Sequence, residues 1–133
     1  MNRFRLTVVS SFFIVATASS FVSAQTALIE ATKNQNRDAI EQLLNQNVDL
    51  NESMGDGATA LHWAVYRNDL DIARLLLEAG ADANSADDHG VTPLSLSSLN
   101  RNLAITKLLI ETNADVNASR YTGETPLMIA AHV

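Results

Sequence analysis

The chain has no cysteine among its 133 residues. That excludes a disulfide framework and any cysteine-ligated metal, so stability has to come from packing. Base is scarce as well: nine Lys and Arg stand against fifteen Asp and Glu, for a formal charge of −6. No Lys/Arg cluster or basic helix face occurs, which argues against nucleic acid and anionic membrane as partners. Catalytic constellations are missing. His62, His89 and His132 form no i, i+4 pair with metal-ligand spacing. Ser95, Ser97 and Ser98 have no G-x-S-x-G elbow around them and read as small residues that let helices pack closely. Neither an enzyme, a metal site, a cofactor nor a small-molecule substrate is implied.

What is present begins with a three-part N-terminus. Arg3 and Arg5 precede the uncharged, mostly apolar run Leu6–Ala18, and Val22-Ser23-Ala24 closes it with a small-x-small pattern. This is the layout of a secretory signal over residues 1–24, and the run is too short and too rich in Ser and Thr for a bilayer span. Removing it takes two arginines and no acid, so the formal charge moves from −6 to −8. The sequence therefore predicts export to a periplasmic or secreted location, with no membrane association after cleavage.

The remainder keeps a 33-residue beat without insertion or deletion. Thr26, Thr59, Thr92 and Thr125 fall on it, as do Gly57, Gly90 and Gly123, Asp49, Asp82 and Asp115, and Asn51, Asn84 and Asn117. Such a period marks an array whose units bury apolar faces against their neighbours. Within one unit, Thr59–Val65 opens a short helix, with the chain's two prolines, Pro93 and Pro126, standing at the first helical position of later copies. Asn68 and Asp69 interrupt the pattern, and Leu70, Ile72, Ala73, Leu75, Leu76 and Leu77 then give a second helix. Gly80 ends it, with Asn47 and Asn113 at the equivalent left-handed positions. A turn with Asp88-His89-Gly90 at its tip leads into the next unit. The repeating Asn is expected to bond backbone around that turn. The sequons Asn51-Glu52-Ser53 and Asn117-Ala118-Ser119 are read as this structural Asn before any glycan.

Thr59-Ala60-Leu61-His62-Trp63-Ala64 followed by Leu76-Leu77-Glu78-Ala79-Gly80-Ala81-Asp82-Ala83-Asn84 resembles the ankyrin-repeat signature, and Thr92-Pro93-Leu94 with Ala114-Asp115-Val116-Asn117 is the next best copy. The resemblance covers residues 25–133. It implies an all-α solenoid of helix-turn-helix units with β-hairpin loops, about three and a half repeats, over residues 25–53, 54–86, 87–119 and a truncated 120–133. His62 is the one copy of the motif histidine, which in the family bonds neighbouring turns; Ile29, Ser95 and Met128 replace it elsewhere. The first unit is more polar, as a terminal cap should be. The last stops within its first helix, leaving Leu127 and Ala130 uncovered, and the expectation is a fragment of a longer reading frame.

The implied function is protein–protein interaction on a concave face built from hairpins and inner-helix ends. Residues that vary against the fixed frame are the candidates: Asp56, Asp88, His89, Tyr121, Thr122 and Glu124 on the hairpins, and Tyr66, Arg67, Leu99 and Asn100 on the inner helices. Tyr and Arg lead because such side chains dominate interfaces. Trp63, Leu96 and Ile129 occur one per unit and serve either packing or the groove. The alternative is that these repeats target a larger enzyme or toxin continuing beyond Val133.

Overall fold

The structure, a computed structural model, describes residues 26–132; the signal segment expected over residues 1–24 lies outside them. Helix α1 covers residues 26–33. It is followed by α2 (Arg37–Leu44), α3 (Ala60–Tyr66), α4 (Leu70–Glu78), α5 (Pro93–Leu99), α6 (Leu103–Glu111) and α7 (Pro126–His132). No strand occurs among the described residues, only an isolated antiparallel bridge between Ser53 and Thr59. The architecture is an all-α repeat solenoid.

Each second helix buries a narrow stripe. In α4 it is Ile72, Ala73 and Leu76, and in α6 it is Ile105, Leu108 and Leu109, positions one turn apart on one face. α3 packs on α4 and α5, α5 on α6 and α7, and α4 on α6, so the odd helices form one layer and α4 and α6 the other. A continuous core runs from Leu28 and Ile29 to Leu109 and Ala114. In α2 only Ile40 is fully buried, and Arg37, Asp38, Glu41 and Gln42 face solvent. At the other end Leu127 of α7 is 78 % exposed, and no second helix covers it among the described residues.

Three left-handed positions recur along the array, and the second and third units hold all three. Gly57, Gly90 and Gly123 lie in the hairpins, and Asn47, Gly80 and Asn113 follow the second helices. The third set, Gln35, Asn68 and Arg101, makes the turn between paired helices at φ of 54°, 56° and 53°. Asn68 and Asp69 are therefore part of the beat and not a break in it. The residue after each turn caps the second helix: Asn36, Asp69 and Asn102 accept the N–H of Ala39, Ile72 and Ile105 through their side chains at 3.2, 3.0 and 3.1 Å.

The hairpins are loops closed by backbone bonds. Met54, Asp87 and Arg120 each donate N–H to a carbonyl four residues on, at Ala58, Val91 and Glu124. Gly57 sits where a Cβ would come within 2.7 Å of the Asp88 backbone nitrogen, so glycine is required by the neighbouring unit as well as by its own φ of 79°. Asp88 N–H donates to the carbonyl of Asp56 at 3.1 Å across the same contact.

The expectation that the repeating Asn bonds around its own turn is corrected by the geometry. Asp does that: Asp49, Asp82 and Asp115 accept the N–H of Asn51, Asn84 and Asn117 at 2.9, 2.8 and 2.9 Å. Asn51 and Asn84 instead reach the next unit, accepting the N–H of Asp82 and Asp115 at 2.8 and 2.6 Å. Asp shapes the turn and Asn ties the units together.

Candidate functional site

The inner helices and the hairpins enclose a cleft of about 220 Å³. Trp63 and Leu96 line it from the helices, Val91, Asp87 and Arg120 from the hairpins, and Tyr66 joins them from the C-terminal end of α3.

His62 holds one wall of this cleft. Its Nε2 lies 2.9 Å from the carbonyl oxygen of Val91 in the next hairpin, and its Nδ1 accepts the N–H of Thr59 at 3.2 Å. A carbonyl only accepts, so the proton is assigned to Nε2 and the ring is neutral. Burial pushes its pKa below the ordinary value, and the bond to Val91 opposes that. Ser95 stands at the corresponding place in the third unit. Its hydroxyl lies 3.0 Å from that of Thr92 and makes no bond to the following hairpin among the described residues. The hairpins of the second and third units are strapped by a side chain that the next pair lacks.

Trp63 gathers the chain's mixed contacts. Its ring packs edge-on against Tyr66 at 5.6 Å between centroids, and Lys33 Nζ lies 4.6 Å from the ring centroid. Lys33 also pairs with Glu30 at 3.0 Å and donates to Met54 Sδ at 3.1 Å, joining the first unit to the second. Trp63 Nε1 and Arg120 Nε are buried without a hydrogen-bond partner among the described residues. Trp63 and Leu96 are half-buried and line the cleft, whereas Ile129 is buried in packing.

The sequence-read candidates divide by exposure. Tyr66 is 57 % exposed and Tyr121 79 %. Leu99 is also an exposed large hydrophobic, and Arg67, Asp56, Asp88, His89 and Thr122 face solvent. Glu124 is half-buried and takes the Thr122 hydroxyl at 3.1 Å. Asn100 is half-buried too, and its Nδ2 donates to the Val65 carbonyl at 3.1 Å, a tie between units. Of these candidates only Tyr66 lines the cleft; the others sit along the hairpins and helix ends around it. Arg120 was missed, because Met54 and Asp87 occupy the same place in the beat and share no chemistry with it.

A family model described as ankyrin repeats in three copies matches residues 8–87 and 79–133. The chain belongs to the ankyrin-repeat family. A comparison with curated proteins gives no match. Ankyrin repeats generally mediate protein–protein interaction and are typically non-enzymatic scaffolds. In this ankyrin-repeat chain no group of three His, Asp or Glu residues is placed to hold a metal among the described residues, and none of their helices is long and apolar enough to cross a membrane.

Proposed function

We propose that this protein is a non-enzymatic scaffold that binds another protein on the face formed by its hairpins and inner-helix ends. The observation that carries the reading is the exposure of Tyr66 beside a cleft with a wall fixed by the cross-unit bond of His62 to Val91, in an array that Asn100 to Val65 ties as well. Large aromatic side chains on a rigid frame lose little entropy on binding and supply much of an interface's energy. The test is a pair of measurements on Tyr66→Ala and Arg67→Ala. Partner recovery should fall while the melting midpoint stays within the small range of a surface change. Loss of the fold in either variant would remove that residue from the binding face.

Export is part of the same proposal and rests on the residue pattern over 1–24. Mass spectrometry of the protein from its own cells should find an N-terminus at Gln25. An intact Met1 in the extracytoplasmic fraction, or no protein there, would count against it.

A further inference from the structure

The cleft beside Trp63 carries a chemical imbalance that narrows the partner. Arg120 is a permanent cation, its side chain 23 % exposed, and the nearest acid is Glu124, with Nη1 to Oε2 at 3.9 Å. That distance is too long for the charge-assisted bonds a guanidinium forms with carboxylates. Its Nε–H and the indole N–H of Trp63 are both buried donors with no acceptor among the described residues. Buried donors are rarely left unpaired, and two on the walls of one cleft call for an explanation. Of the remaining walls, Ala58, Val91, Leu96 and Tyr66 are apolar or aromatic, and His62 has both ring nitrogens bonded to Thr59 and Val91. Asp87 also lines the cleft, but its Oδ1 already accepts the N–H of His89 and of Val91 at 2.9 and 2.8 Å.

Resting on the reading above, we propose that this cleft takes the C-terminal carboxylate of a partner chain that ends in an aliphatic residue. The carboxylate pairs with the Arg120 guanidinium, which turns away from Glu124 to meet it, and the aliphatic side chain lies against Leu96 and Val91. The turn brings Nε–H to an acceptor and opens the Trp63 N–H, which solvent does not reach in the unbound cleft. A chain terminus fits better than an internal acidic side chain, because the walls offer apolar surface immediately beside Arg120, the one cation that lines the cleft among the described residues.

Trp63 is the chain's single tryptophan, so its indole N–H gives one isolated resonance. The experiment titrates the full chain with N-acetyl-leucine and follows that resonance. N-acetyl-leucinamide serves as the uncharged control and N-acetyl-glutamyl methylamide as the internal-side-chain control. The expected result is a saturable shift with N-acetyl-leucine and binding at least about tenfold weaker for both controls, as loss of a charged bidentate pair implies. Arg120→Gln should lose the shift, and Arg120→Lys, which keeps the charge without the fork, should weaken it while the melting midpoint holds. No saturable shift, equal binding of the amide, equal or tighter binding of the glutamyl probe, or an unchanged Arg120→Gln would each overturn the proposal. Any of these together with a Tyr66→Ala variant that loses its partner would leave the wider binding face standing, so the two failures are separable.

Discussion

Asn84 Oδ1 accepts the backbone N–H of Asp115 at 2.6 Å while its Nδ2 donates to the carbonyl of Asn113 at 3.1 Å. One side chain thus satisfies two backbone groups of the following unit. In an array where each repeat touches only its neighbours, such ties set how cooperatively the units fold. Asn84→Ala is expected to cost about 0.5–1.5 kcal/mol, the net worth of a typical hydrogen bond, because the site is exposed and water replaces the lost partner. Asn117→Ala, whose side chain makes no such bond among the described residues, should cost less. Urea denaturation of both variants checks the order.

His62 predicts a pH dependence. Its folded pKa lies below the ordinary value of 6.5, so the folded protein resists the proton that the unfolded chain accepts. Stability from this group is complete above about pH 6.5 and declines as pH falls from there through the lowered folded pKa. Protonation would set a second ring N–H against the Thr59 N–H, which now donates to Nδ1. Between pH 7 and pH 5 the wild type should lose stability more steeply than His62→Gln. Parallel profiles would remove His62 as the cause.

The hairpin glycines are not equivalent to the helix-terminal one. Gly57→Ala meets both a left-handed φ and the Asp88 backbone 2.7 Å away, whereas Gly80 has nothing within 4 Å of its would-be Cβ. Gly80→Ala should cost about 1–2 kcal/mol, the strain of the left-handed conformation alone. Gly57→Ala should cost clearly more, since the Asp88 to Asp56 contact must part. Thermal melts of the two variants decide this.

Leu76 and Leu109 are fully buried at equivalent places in α4 and α6. Replacing either by Ala should destabilise by about 2–5 kcal/mol. Leu103→Ala, at the exposed first position of α6, should change stability by no more than about 0.5 kcal/mol.

The scaffold was legible in the sequence wherever backbone geometry restricts residue choice. Gly57, Gly90 and Gly123, and Asn47, Gly80 and Asn113, announced themselves because a left-handed φ admits few residue types without strain. The turn at Gln35, Asn68 and Arg101 has the same geometry but three unlike residues, so it left no trace, and Asn68-Asp69 read as an interruption. The division of work between Asp and Asn was hidden for another reason. Both side chains can bond backbone on either side, and only the distance between units decides which reaches across. The exposed tyrosines were readable as departures from the beat. Arg120 was not, because its place in the cleft depends on how three units stack and on no pattern within one.

Partners are expected to meet the hairpin and inner-helix face. A photo-crosslinking benzoylphenylalanine placed at position 66 or 121, and separately at Arg74 or Lys107 on the outer helices, tests it most directly in extracts of the producing cells. Position 66 and position 121 should yield the same discrete crosslinked protein, and the outer positions none. Crosslinking confined to the outer helices, or equal from both faces, would exclude the hairpin and inner-helix face as the docking surface.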